Sequence, residues 1–243
     1  MSTVKQEKIR EHYDSVADTY DNHYDHYRGR PYHSHLSDYL IRALPEQGDL
    51  LDIGCGTGLF IEKYLRKGGT ATGVDLSEKM AGLARKKCPG CEFVVGNGET
   101  IPFRNNSFDA VSSLLVFSYV KHPEIMLSET CRVLRPGGGI AVCTLGKKLL
   151  TKGIPTLYHI SEKMKVRHVV MKNFGEYYYN EEEMMHLFSD AGFTDISIKW
   201  CSFAHIDMID PVFHLARKIE PFVERRIPQL AYNIFVSAKK PDE

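Results

Sequence analysis

Short runs of apolar residues alternate along this chain with stretches in which apolar positions return every third or fourth residue. The runs fall near Asp49 to Ile53, Thr70 to Asp75, Glu92 to Val95, Asp109 to Leu115, Gly139 to Leu145, Asp195 to Phe203 and Tyr232 to Ala238. Each reads as a buried strand, and seven strands spaced by helical stretches predict an α/β fold with a parallel sheet covered by helices on both faces. Two segments lie outside that alternation. Residues 9 to 42 concentrate Tyr13, Tyr20, Tyr24, Tyr27 and Tyr32 with His12, His23, His26, His33 and His35. The histidines read as solvent-facing or packing residues, because His23 and His26 lack a third ligand at a metal-binding spacing. The second segment runs from Gly146 to Leu230, interrupted only by the sixth strand. Lys152 to Tyr179 mixes long apolar and basic side chains, and Asn180 followed by Glu181, Glu182 and Glu183 is a helix start with acidic first-turn residues. From Asp210 onward, Val212, Leu215, Ile219 and Phe222 share roughly helical spacing. Such a face packs on the edge of the sheet, caps a substrate pocket, or meets an apolar, lipid-linked molecule.

Composition narrows the class of partner. Of 243 residues, 43% are hydrophobic and 26% charged, ordinary values for a globular domain. Lys and Arg total 31 against 31 Asp and Glu, so a net charge of zero argues for no nucleic acid. Arg85-Lys86-Lys87 and Arg225-Arg226 are short enough to be solvated helix faces. The first residues, Met-Ser-Thr-Val-Lys-Gln-Glu-Lys, are polar, and no apolar stretch approaches spanning length, so no transmembrane segment and a cytoplasmic address are expected. Six cysteines in a chain of this size form no disulfide framework. Cys88-Pro-Gly-Cys91 has metal-like spacing but no second pair, so these read as loop cysteines and no metal is expected.

The chemistry concentrates at Leu50-Leu-Asp-Ile-Gly-Cys-Gly-Thr-Gly58, where a buried run ends in a glycine-rich turn, with Asp75 closing the next run. Glycines at alternate positions let the backbone approach a ligand closely. A dinucleotide fingerprint would need its third glycine where Leu59 stands, and the carboxylate of Asp52 beside the turn would repel a pyrophosphate while suiting a cationic amino group. This arrangement resembles motif I of the class I S-adenosylmethionine (SAM) dependent methyltransferases. Thr70 to Met80 resembles the family's second strand, Gly96-Asn97-Gly98-Glu99 with Ile101-Pro102-Phe103 its segment G-D-A-E-x-L-P-F, and Glu129 to Gly139 its turn into strand five. Tyr13-Asp-Ser-Val-Ala-Asp-Thr-Tyr20 resembles its entry helix.

The resemblance implies a Rossmann-like sheet of order 3-2-1-4-5-7-6 with strand seven antiparallel, and SAM as cofactor. It implies cofactor contacts from Tyr13, Tyr20, Asp52, Gly54, Cys55, Gly56, Gly58, Asp75, Leu76, Met80, Asn97, Gly98, Glu99 and Leu114. Asp75 would accept both ribose hydroxyls, Leu76 and Met80 would flank the adenine, and Asn97, standing where relatives carry an acid, would accept the adenine amino group through its carbonyl. Residues 1–243 read as one domain, with entry and lid helices over 1–45, a cofactor-binding core over 46–145 and a substrate-side elaboration over 146–243.

The acceptor is less legible. Small-molecule relatives often carry a His-His pair after strand four, where this chain has Ser118 and Tyr119. Tyr119 is the better candidate for an orienting hydroxyl, with His122 a second catalytic candidate. Methyl transfer to a carbon or oxygen of a small or lipid-linked acceptor is expected, with nitrogen disfavoured because no N-P-P-Y or D-P-P-Y type sequence follows strand four. A homodimer is left open. The rival readings are a SAM-binding protein without methyl transfer and a nicotinamide-dependent oxidoreductase.

Overall fold

A computed structural model describes residues 2–147 and 175–242, and most of the basic and apolar stretch from Lys152 to Tyr179 lies outside the described residues. The chain enters through two helices, α1 (Ser2–Tyr24) and α2 (Gly29–Ala43). Strand and helix then alternate: β1 (Asp49–Ile53), α3 (Leu59–Leu65), β2 (Thr70–Asp75), α4 (Glu78–Lys87), β3 (Glu92–Val95) and β4 (Phe108–Leu114). A 3₁₀ turn (Phe117–Tyr119), α5 (Pro123–Val133) and β5 (Leu134–Leu145) follow. Among the described residues the remaining elements are α6 (Glu181–Asp190), β6 (Thr194–Cys201), α7 (Asp210–Arg226) and β7 (Asn233–Lys239).

The seven strands form one sheet in the order β3-β2-β1-β4-β5-β7-β6. Strands β1 to β5 pair in parallel, and β7 runs antiparallel to both β5 and β6. Central strands buried on both faces explain the near-continuous apolar runs. One face packs Leu36, Leu40, Ile61, Tyr64, Ala81 and Ala84 from α2, α3 and α4. The other packs Met126, Leu127, Met184 and Phe188 from α5 and α6. The expected start of α6 is realised as a capping box, in which Asn180 accepts from Glu183 N and the Glu183 side chain accepts from Asn180 N.

Helix α7 is fastened by acids that turn inward. Glu220 accepts from Ala204 N at 2.8 Å and ion-pairs with Arg217, while Glu224 accepts from Ser202 N, Tyr39 Oη and His35 Nε2 at 2.6 to 2.7 Å. Burial would penalise both carboxylates without these donors.

Candidate active site

At the carboxyl ends of β1, β4 and β2 the backbone and two acids build a small polar floor. Gly54, Gly56 and Gly58 have φ of 74°, 53° and 81°. Gly54 has no room for a Cβ, which would meet the Val116 side chain at 2.2 Å, so a side chain here is excluded by both conformation and space. Above Gly56 a Cβ would meet only Tyr20 Cε1, at 3.9 Å. Asp75, at the end of β2, accepts from Gly56 N and Ser77 N at 2.8 Å each. Burial outweighs those bonds and holds its carboxyl up at about 6. Asp52 is 1% exposed and accepts from Ser112 Oγ at 2.7 Å, and burial raises it to about 7.

Helix α1 forms the roof. His12, Tyr13, Val16, Tyr20, His23 and Tyr24 recur at helical spacing on one face and, with Leu115 and Tyr119 from the end of β4, enclose a cavity of about 40 Å³. The rings of Tyr13 and Tyr119 meet edge-on at 6.4 Å between centroids, and those of Tyr20 and Tyr24 at 5.6 Å. The hydroxyls pair, Tyr13 with Tyr119 and Tyr20 with Tyr24. Burial raises all four phenols above their ordinary range, which keeps them neutral hydrogen-bonding groups. The roof is tied to the floor by acids of α1. Asp14 accepts from Ser77 Oγ at 2.5 Å, and Asp21 accepts from Thr57 Oγ1 and, at 2.5 Å, from Lys87 Nζ.

A methyltransferase-domain family model matches residues 51–142, the stretch from β1 through the glycine turn into β5. Residues 51–142 form a methyltransferase domain, and the sheet order is that of the class I SAM-dependent methyltransferases. The ubiquinone/menaquinone biosynthesis C-methyltransferase UbiE of Campylobacter jejuni is 28% identical over 226 residues, covering 82% of this chain and 94% of its own. The biotin biosynthesis bifunctional protein BioHC of Cellvibrio japonicus is 31% identical over 154 residues, and the chain spans only 30% of its length. Among solved structures, a SAM-dependent methyltransferase and possible histamine N-methyltransferase of Thermotoga maritima superposes with a TM-score of 0.65 at 25% identity, covering 95% of this chain and 99% of that one.

In this methyltransferase the donor set fits SAM. Asp75 has carboxylate lone pairs left after its two backbone bonds, and the turn at Gly56 is open to a ligand apart from one tyrosine edge. The enclosed volume does not yet fit, since pockets for such ligands run to about 300 Å³ or more. Tyr13, Tyr20 and Tyr24 of α1 line that cavity.

The remaining expected contacts fall in several places. Cys55 turns its sulfur inward, where a Cβ on Gly73 would lie 2.6 Å from it, so this residue offers the site its backbone alone. Met80 is 1% exposed within the core, whereas Leu76 and Leu114 are half-buried near the strand ends. Asn97 Oδ1 accepts from Glu99 N at 3.0 Å, which leaves one lone pair for an adenine amino group. Glu99 is engaged by the chain itself. Its Oε1 accepts from Lys121 N and His122 N at 3.1 and 3.2 Å, so it organises the turn into α5, whose amides need an acceptor. Gly98 packs against Ile53, where a Cβ would approach to 2.8 Å. His122 stands at the N-cap position of α5 without a side-chain capping bond, lies 3.2 Å from Glu124 and is not among the residues lining the cavity. Conversely, His12, His23, Tyr24 and Leu115 line it without having been singled out as site residues.

Proposed function

We propose that this methyltransferase moves a methyl group to a carbon or oxygen of a small or lipid-linked acceptor by in-line displacement. The observation that carries this reading is the aromatic cavity, whose lining holds four neutral phenols and two imidazoles and no carboxylate. Such a wall suits an apolar or aromatic acceptor presented edge-on to hydroxyl groups. The name of the Campylobacter relative, a quinone C-methyltransferase, supports carbon over oxygen.

SAM supplies an electrophilic methyl on a sulfonium when bound. The chain's own residues then bind and orient. Asp75 receives the ribose hydroxyls, the turn from Gly54 to Gly58 admits the amino-acid end, and the ionised Asp52 favours its ammonium. Tyr119, paired with Tyr13, orients the acceptor by a hydrogen bond, because a phenol held neutral cannot take its proton at pH 7. A hydroxyl acceptor needs a base, and His12 and His23 are the lining groups able to serve. Well-oriented reactants can gain about 7 to 11 kcal/mol from alignment.

The test is a two-stage titration. Calorimetry with SAM and S-adenosylhomocysteine should show micromolar binding, and an acceptor screen led by demethylated quinones should then form S-adenosylhomocysteine. Binding without turnover on any acceptor would favour the SAM-binding role without transfer. Tighter binding of NADH than of SAM would return the oxidoreductase.

A further inference from the structure

Helix α7 buries Phe213, Ala216, Glu220 and Val223 against the domain. The flank beside this buried face is apolar and open: Val212, Leu215, Ile219 and Phe222 are 47%, 61%, 40% and 61% exposed. At about 100° per residue these four fall within roughly 80° of one another, a continuous stripe along a helix about 25 Å long. Ile209 before the helix and Ile227 after it are 66% and 43% exposed. Scattered surface hydrophobes need no explanation, but an aligned stripe does.

The charges beside the stripe decide what covers it. Both glutamates of α7 point inward, bonded to Ala204 N and Ser202 N. The exposed charges of the helix are therefore Asp210 at its start and Lys218, Arg225 and Arg226 on the outward side and at its end. Lys218 and Arg225 flank the stripe on one edge, and Arg226 continues its line. A second copy would bring two such surfaces together, with three cations and one acid on each, which disfavours a symmetric dimer. Residues 148–174 carry Lys148, Lys152, Lys163, Lys165, Arg167 and Lys172 against Glu162, the same sign as the face. An apolar stripe with a cationic margin and inward-turned acids matches an anionic lipid surface.

We propose that the outward face of α7 docks this methyltransferase onto anionic membrane surfaces. No helix among the described residues is long and apolar enough to cross a bilayer, so the contact is interfacial. Leu215 and Phe222 enter the acyl boundary while Lys218, Arg225 and Arg226 meet the headgroups. The docked helix adjoins the roof of the active site. Arg28 donates to Met208 O and pairs with Asp210 at 3.6 Å, and the Tyr27 ring stacks on His214 at 6.0 Å, three residues beyond Tyr24 of the cavity. The inference goes beyond the proposed chemistry and holds whichever acceptor is methylated.

The experiment is flotation of the full chain with vesicles of phosphatidylcholine alone and with equal parts of phosphatidylglycerol, at 50 and 300 mM salt. Retention on the anionic vesicles, weakened by salt, is expected. Leu215→Glu with Phe222→Glu should abolish it, and Lys218→Ala and Arg225→Ala should each weaken it about fivefold. All of these positions are exposed, and unchanged calorimetric binding of S-adenosylhomocysteine by each variant establishes that the fold and cofactor site are intact. No retention on anionic vesicles, or retention unaffected by the double glutamate variant, would overturn the proposal. So would light scattering that shows a dimer which the double variant dissociates, because the stripe would then belong to a second copy.

Discussion

Replacing Asp75 by asparagine separates what this carboxylate does for the cofactor from what it does for the fold, because the two effects have opposite signs. For binding, the amide keeps the shape but presents one oxygen in place of two, so one ribose hydroxyl loses a charge-assisted hydrogen bond. That loss is worth about 1.5 to 3 kcal/mol, or roughly 10- to 150-fold in affinity. For folding, burial raises the carboxyl from 3.8 to about 6. A group whose folded value is raised contributes most at low pH, and stability falls as pH rises through about 6. By pH 8 the ionised side chain costs about 3 kcal/mol. Asp75→Asn should therefore show a smaller fall in stability between pH 5 and 8, with the relief at pH 8 partly offset by about 1 to 3 kcal/mol for the backbone bond at Gly56 N or Ser77 N that the amide loses, while SAM affinity drops at least tenfold. Calorimetry paired with urea midpoints at both pH values measures the two quantities. Affinity within threefold of the parent in a folded variant would refute the role assigned to Asp75. A loss of binding that merely follows a loss of stability would make the residue structural.

Three further outcomes test the site. Tyr119→Phe should lower kcat/KM for the acceptor up to about tenfold, the worth of one neutral hydrogen bond, with SAM affinity unchanged; His122→Ala should leave turnover within twofold, and the reverse ranking would move the acceptor to the α5 cap. Because Asp52 titrates at about 7 and its ionised form favours a cationic cofactor, SAM affinity should rise about tenfold from pH 6 to pH 8, and a flat profile would remove Asp52 from the binding scheme. Asp21→Asn removes the Lys87 ion pair, which is partly exposed, and weakens the bond to Thr57. Stability should change by no more than about 1 kcal/mol while SAM association in stopped flow accelerates, and an unchanged rate would mean that α1 does not gate entry.

The sheet was legible because each central strand is buried on both faces and so writes itself as an apolar run. Six of the strands were placed to within two residues at each end, and β5 begins earlier than expected, at Leu134, by pairing across Arg135 to Gly138 before its apolar part starts. The strand order came from the family resemblance, since alternation alone permits several orders. The floor of the site was legible for the same reason as the sheet: Gly54, Gly56, Gly58 and Asp75 sit at strand ends where spacing is fixed. The roof was only half legible. Tyr13 and Tyr20 stood out by motif, but His12, Val16, His23 and Tyr24 share their helical face, and that periodicity was the signal available. Sequence does not separate an acid that faces a ligand from one that accepts backbone amides ahead of a helix, as Glu99 does. Leu115 carries no such signal at all: it lines the cavity with a φ of 61°, a conformation that leucine rarely adopts.

The division between floor and roof has a mechanistic consequence. The floor is held by strands in the middle of the sheet, with Leu50, Leu51 and Val111 fully buried beside it. The roof is a single amphipathic helix whose fully covered side chains are few, Ile9 and Ala17 among them, and whose polar ties run through two half-exposed aspartates. Local stability follows buried contact, so α1 belongs to the part of the molecule that opens most readily. The tyrosines that fill the cavity are the same ones that would wall the cofactor, so their displacement by ligand and their closure over it are one movement. A return of α1 would exclude water and restore the pairing, present in the closed structure, of Tyr13 on the roof with Tyr119 in the turn after β4. On the proposed reading, orientation of the acceptor would depend on a closed roof.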